Sequence, residues 1–344
     1  MSKALASTAG LERSETPAIA KSAVVIGEPT LGAQSLLSEG AVLRASAGAV
    51  AIGVGSAVIE NCVVIGTSAM PTVIGRRTVF GHRCLVVGAN VGDLCEVGNA
   101  TILMPGCRLG DRVFLGEGTL VPPGAELQSD VVAVGRPARV IRTASEADLE
   151  RLRRLRGGDL TLPPPTFTTV GPTLEGLGMG QLYAYGDITP TIASSAVLFP
   201  TSEITGDVMI GERTVIGAGV KIIGDSHGPV RIGNDVQILE NTVLHLLPDN
   251  ELTIDDGVTI GPGAMIHGCQ IGARSVVEPG AIVCDGSAIG ADCVVRAGAV
   301  VKQRSRFSDG VEIDGFPAAE MRRIEAPERP AWALRFNDLP TASA

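Results

Sequence analysis

Small aliphatic residues recur along this chain at every sixth position. Val91, Val97, Leu103, Leu109, Leu115 and Val121 keep the spacing in the first half, and Ile271, Val277, Val283, Ile289, Val295 and Val301 keep it in the second. A helix repeats every ~3.6 residues and a strand every ~2, so neither accounts for a period of six. A solenoid does: each hexad supplies one short strand and one turn, and three hexads close a triangular coil. The aliphatic residue points into the prism. A glycine often follows it, as in Ile52-Gly53, Ile74-Gly75, Ile232-Gly233 and Ile289-Gly290, where the turn needs positive φ or close backbone approach. Coils stacked about 4.8 Å apart set like residues in ladders. The pattern predicts an all-β chain built as a parallel β-helix.

The two halves are copies of each other. Val25 to Ser46 aligns with Ile204 to Asp225 at an offset of 179, one extra residue enters near Ser226-His227, and from Ile52 to Arg142 the offset is 180. Gly135-Arg136-Pro137-Ala138 thereby pairs with Gly315-Phe316-Pro317-Ala318. Two tandem β-helix domains follow, 20–142 and 190–322, with tails at 1–19 and 323–344. Between them, Ser145 starts a short linking helix with a capping-box pattern. A Pro/Gly-rich connector follows through Leu162-Pro163-Pro164-Pro165 to residue 189, read as an ordered strap or linker without chemistry of its own.

Composition narrows the function. Of 344 residues, 45% are hydrophobic, 3% are aromatic and 44 are glycine, which suits short strands and tight turns around a thin Val, Ile and Leu core. A net charge of -9 with no long basic run argues against nucleic acid as a partner. The seven cysteines (Cys62, Cys84, Cys95, Cys107, Cys269, Cys284, Cys293) show no C-x-x-C spacing, which fits a reducing compartment. Met1 to Glu28 carries no signal pattern, and no apolar stretch reaches 18 residues. The expectation is a cytoplasmic protein without a membrane partner.

Chemistry enters with a resemblance. Asn241-Thr242-Val243-Leu244-His245, followed by Ile260-Gly261-Pro262-Gly263-Ala264-Met265-Ile266-His267-Gly268-Cys269, resembles the metal-binding core of γ-class carbonic anhydrases. So do Gly224-Asp225, His227-Gly228-Pro229 and the closing Gly-x-Pro-Ala segments. The resemblance implies left-handed coils and one zinc ion held by three histidines, two from one prism and the third from its neighbour in a trimer. Carried onto this chain, the first and third ligand positions are His245 and His267 in the second copy, where the middle position is Pro262. In the first copy those two positions are Ile65 and Val87, and the middle one is His82. The family's Arg and Asp that pair across prisms are split likewise: Arg44 with Ser46 in the first copy, Ile223 with Asp225 in the second.

The reciprocal losses imply one composite interface, with His245, His267 and Asp225 from the second copy and His82 and Arg44 from the first. Its assembly is a homo-oligomer with mixed first-domain and second-domain interfaces. His245 and His267 each follow an inward residue and lie 22 residues apart, about one coil plus a small loop, so they face outward as near neighbours. Three neutral imidazoles with an open position suit Zn²⁺, and Fe²⁺ or Co²⁺ fit the same set. Such an ion makes hydroxide available near neutral pH for attack on CO₂ or a small organic substrate.

Arg44 and Asp225 read as an interface ion pair. Glu240, like Glu60 in the first copy, holds the family's Asp position and suits a base or water-orienting acid as well as a plain surface acid. His227 reads as a local hydrogen-bonding residue, and Cys84 and Cys269 as small buried hydrophobes. Two departures weaken CO₂ as substrate: the family's water-orienting Gln is Leu239, and the Glu that some members use as proton shuttle is Ser226. The expected function is therefore a metal-dependent lyase, hydratase or hydrolase. The rivals are a hexapeptide-repeat acyltransferase with a histidine base, and an inactive scaffold or assembly subunit whose histidines are ancestral remnants.

Overall fold

The computed structural model describes residues 15–174, 178–335 and 338–339. It divides into two compact units, Met1–Thr173 and Leu174–Ala344. Each is a parallel β-helix of three sheets, with eight, six and seven strands in the first unit and seven, seven and eight in the second among the described residues. The hexads become strands of two to four residues whose partners lie one coil away. In the first unit Leu37, Val58, Phe80, Val97, Leu115 and Ala133 stand in one such column. In the second, Leu198, Ile216, Ile238, Ile260, Val277, Val295 and Ile313 do the same. These columns are buried and form the inner wall of each prism.

The turns divide the two jobs assigned to glycine. Gly53 and Gly75 are needed for close approach: a Cβ on Gly53 would stand 2.4 Å from the Gly75 carbonyl oxygen, and one on Gly75 would stand 2.5 Å from Gly92. The positive φ falls two residues later, at Gly55 after Gly53, and in other turns is taken by residues with side chains, among them Arg77, Leu94, Arg112, Arg213, Asp235 and Arg274. Several of these pair with the coil above, as Arg112 does with Asp130, Arg213 with Asp235 and Arg274 with Asp292.

Buried small polar residues satisfy the carbonyls of the crowded glycines. Ser56 donates to the Gly75 carbonyl at 2.6 Å, Thr78 to Gly92 at 2.7 Å, Thr214 to Gly233 at 2.8 Å and Ser275 to Gly290 at 2.8 Å. Cysteine takes the same role: Cys62 Sγ lies 3.0 Å from the Gly81 carbonyl oxygen, Cys84 Sγ 3.2 Å from Gly98 and Cys95 Sγ 3.1 Å from Gly110. These thiols are therefore structural donors within the wall.

Both units end on an antiparallel hairpin, Val131–Val134 with Arg139–Thr143 and Val311–Gly315 with Ala318–Arg323, each turning at an aligned Gly-x-Pro-Ala segment. The linking helix spans Glu146–Leu155, with Ser145 and Asp148 forming its capping box and Leu152 buried. The connector beyond it is more than a strap. Phe167–Thr169 adds an antiparallel strand to Thr30–Gly32 in the first unit, and Gln181–Tyr183 adds a parallel strand to Glu203–Gly206 in the second. The C-terminal tail seats Trp332, Ala333 and Leu334 in buried positions of the second unit. There the Gln237 amide donates to the Leu334 carbonyl at 3.1 Å and accepts from its N–H at 3.0 Å. Among the described residues no helix is long and apolar enough to cross a membrane.

Burial pushes the thiols of Cys95 and Cys107 up to about 12. At pH 8 they stay protonated, and only the thiolate is a nucleophile. Cys284 alone among the seven is partly exposed. A maleimide at pH 8 should modify native protein first at Cys284, with the other thiols reacting only after denaturation, as read by peptide mass spectrometry.

Candidate metal centre

His245 and His267 follow the strands Val243–Leu244 and Met265–Ile266, which pair in parallel and in register. The His245 N–H donates to the Ile266 carbonyl at 3.0 Å, and the His267 N–H to the Val283 carbonyl at 2.9 Å. The two imidazoles therefore leave the same corner of the prism one coil apart. Their ring centroids are 6.2 Å apart at an interplanar angle of 85°, and the side chains are 32% and 26% exposed.

The corner is built by lengthening two coils. Glu203 to Lys221 and Ile282 to Val300 are ordinary coils of 18 residues, whereas Lys221 to Val243 and Val243 to Met265 each take 22. The extra residues form loops at 225–229 and 246–250, stacked on each other. The Asn250 N–H donates to the His227 carbonyl at 3.2 Å. Gly228 sits at φ +151, where a Cβ would stand 1.8 Å from the Asn250 carbonyl oxygen, so no larger residue permits this approach.

Asp225 opens the lower loop. Its Oδ1 accepts the His227 backbone N–H at 2.9 Å and lies 3.1 Å from His227 Nδ1. Its Oδ2 lies 3.9 Å from His245 Nε2. The His227 ring meets the His245 ring edge to face, centroids 5.5 Å apart. One ligand atom from each of Asp225, His227 and His245 falls within 4.8 Å of the others.

Asp285 supports the other histidine. Its Oδ1 accepts the N–H of Leu247 at 3.1 Å, the N–H of Gly268 at 3.2 Å and the Asn250 side-chain amide at 3.2 Å. Its Oδ2 stands 3.4 Å from His267 Nδ1. Asp285 thus stands behind the His267 ring, the place from which a carboxylate usually supports a metal-bound histidine, with no hydrogen bond joining the two here. Burial, reinforced by the Asp285 charge, pushes the thiols of Cys269 and Cys284 above the ordinary range, so neither is a ready ligand.

The set fits a divalent ion. The Nδ1 atoms of His227 and His267 are buried and form no hydrogen bond, although each faces a carboxylate. Imidazole nitrogen and carboxylate oxygen are the donors that zinc accepts.

The remaining residues singled out from the sequence lie elsewhere. In the first unit His82 is 53% exposed, its Nδ1 2.8 Å from a Glu60 carboxylate oxygen. The column that corresponds to the histidines is Arg44, Ile65 and Val87, and all three are fully buried, as is Glu240 in the second unit. A groove of about 480 Å³ lined by Met209, Arg231, Thr253, Asp255 and Asp256 lies on another sheet and contains none of the candidate site residues.

Sequence reasoning brought His245 and His267 together and read His227 as a local hydrogen-bonding residue, as its N–H to Asp225 agrees, but missed the supporting residues Asp285 and Asn250. The signal was the difference between the copies: Asp285 and Asn250 stand where the first copy has Pro105 and Met70, and His227 lies at the one-residue insertion.

No family model matches the chain. Over 105 residues it is 41% identical to a carbonic anhydrase of Geobacillus kaustophilus, covering 30% of this chain and 57% of that protein. It is 32% identical to the mitochondrial gamma carbonic anhydrase 2 of Arabidopsis thaliana, covering 41% of this chain and 53% of that protein. The chain thus spans a little over half the length of these two relatives. It is 37% identical to protein YrdA of Escherichia coli, covering 46% of this chain and 89% of that protein. Among solved structures, a Bacillus cereus protein titled as an acetyltransferase is 34% identical at a TM-score of 0.42, covering 42% of this chain and 84% of that chain.

Asp285 is the hub of this corner, and its removal leaves three donors unanswered. Asp285→Ala should lower the unfolding free energy by about 3 kcal/mol. Asp285→Asn, which still offers an oxygen to those N–H groups, should cost clearly less. Urea denaturation followed by circular dichroism measures both.

Proposed function

Because the chain belongs to the γ-class carbonic anhydrase-like family of left-handed hexapeptide-repeat β-helices, we propose that it is a metal-dependent lyase or hydrolase whose ion sits on the second solenoid. The observation that carries this reading is the pair His245 and His267. They are stacked on successive coils at one corner, with a carboxylate close to each. Zinc is the preferred ion, with Fe²⁺ or Co²⁺ open to the same donors. Bound there, the ion supplies Lewis acidity and hydroxide near neutral pH.

The protein's own residues set the rest. Asp285 stands behind the His267 ring, and Asp225 sits against His227 and His245. His82 serves as the further imidazole of the catalytic arrangement when a first-copy prism of the assembly presents it. The roles expected of Arg44, prism register with Asp225, and of Glu240, orienting water or carrying a proton, find no support within the single chain, where both side chains are fully buried.

The substrate is CO₂ or a small organic electrophile. Leu239 and Ser226 replace the polar residues that assist CO₂ hydration in the family, and Leu239 is fully buried. The loss of both the water-orienting amide and the proton-relay acid favours a small organic carbonyl compound over fast CO₂ turnover.

Elemental analysis of the purified protein tests the reading. About one zinc, iron or cobalt per chain is expected, with the content lost in the His245→Ala, His267→Ala double variant. Hydration of CO₂ and ester hydrolysis should then both depend on the ion, the ester reaction being the less impaired by the missing relay. Protein that stays metal-free after growth with added zinc, iron and cobalt sinks this proposal and leaves an acyltransferase or a scaffold.

A further inference from the structure

The family's middle ligand position is Pro262 in the second copy, which offers no donor. The same corner nevertheless carries more donors than the expected pair. Asp225 and His227 stand beside His245, one ligand atom of each within 4.8 Å of the others.

We propose that the second solenoid holds a divalent metal ion on its own residues, through His227 and Asp225 together with His245, so that retention of the ion needs no histidine from a first-copy prism. The inference rests on the reading that the ion sits at this corner, and it changes which residues keep it there. His82 then completes a catalytic arrangement around an ion that is already bound.

Three observations support it. First, His227 Nδ1 is buried and 3.1 Å from Asp225 Oδ1, yet makes no hydrogen bond. A buried imidazole nitrogen and a carboxylate oxygen this close, with no hydrogen bond joining them, are answered together by one cation that both ligate. Second, the backbone places His227 before any ion arrives. Its N–H is fastened to Asp225 at 2.9 Å and its carbonyl to the Asn250 N–H at 3.2 Å, and the φ of Gly228 sets the loop against Asn250. Third, the donors are ones that zinc accepts, two imidazoles and a carboxylate, with a further imidazole, His267, one coil away beside Asp285. Three protein donors of this kind are the minimum of an open zinc site. The first copy has Ser46 and Ala47 at this place, so the cluster belongs to the second copy alone.

The test is metal binding by the full-length, metal-stripped chain, without reference to turnover. Zn²⁺ is titrated calorimetrically, and Co²⁺ is followed by its visible absorption, which reports nitrogen and oxygen ligation. Wild type should bind one ion per chain. His82→Ala should bind with an affinity within a few-fold of wild type and an unchanged cobalt spectrum. His227→Ala and His227→Asn should each weaken binding by on the order of 100-fold or more and alter the spectrum, with circular dichroism and melting temperature unchanged.

If both His227 variants bind like wild type, the inference is overturned. It is also overturned if His82→Ala loses the ion while the His227 variants keep it, and in that case the composite site stands. Wild type that binds neither metal removes the proposed function itself and this inference with it, an outcome distinct from the other two.

Discussion

Coils stack in register, and everything else in this protein depends on that constraint. Each strand finds its hydrogen-bond partners one coil above and one below, so a side chain's position is set by its place in the coil and by the coil's number. Inward columns such as Ile216, Ile238, Ile260, Val277 and Val295 can therefore be aliphatic throughout and still fill a thin core. The same rule brings crowded glycine carbonyls above one another, and Ser, Thr and Cys hydroxyls and thiols answer them from the buried wall. A parallel sheet leaves no freedom to slip by one residue without moving every aliphatic side chain to the outside.

Against so regular a frame, chemistry needs an irregularity, and both units lengthen two successive coils, to 21 and 22 residues in the first and to 22 each in the second. In the second the spare residues fold back as two loops that carry the polar side chains. Carboxylates organise both loops. Asp225 fastens the backbone of His227, and Asp285 gathers the N–H groups of Leu247 and Gly268 and the Asn250 amide behind His267. Negative charge is thus concentrated at the rim where three imidazoles converge. That arrangement is poor for a protein without a cation and suitable for one that holds it.

The fold was legible because a period of six has one structural solution, and the duplication was legible because the offset between halves changes only once, near His227. The histidine pair followed from the same bookkeeping, since residues next to inward Leu244 and Ile266 one coil apart must be neighbours. The supporting residues were hidden because loops escape the hexad rule. Nothing in the spacing of Asp285 or Asn250 announces that one oxygen gathers three N–H groups. The strands at Phe167–Thr169 and Gln181–Tyr183 were hidden for a related reason: they add to sheet edges as single strands outside any repeat. Glycine's two tasks fell to different positions, close approach at Gly53 and Gly75 and positive φ at others such as Gly55 and Gly257, where Arg, Leu and Asp elsewhere take the same φ.

The divergence of the two copies follows from what a corner column costs. In the first copy Ile65, Val87 and Met104 occupy the places of His245, His267 and Cys284, and all are buried. Each such aliphatic side chain contributes about 1.5–3 kcal/mol by leaving water, whereas an imidazole there would lose hydration unless it were paired. In the second copy the same places stay partly open, and the loops spend their polar groups on holding the histidines in position. The two corners are therefore stabilised differently, the first by burial of aliphatic side chains and the second by carboxylates that fasten the loops around the histidines.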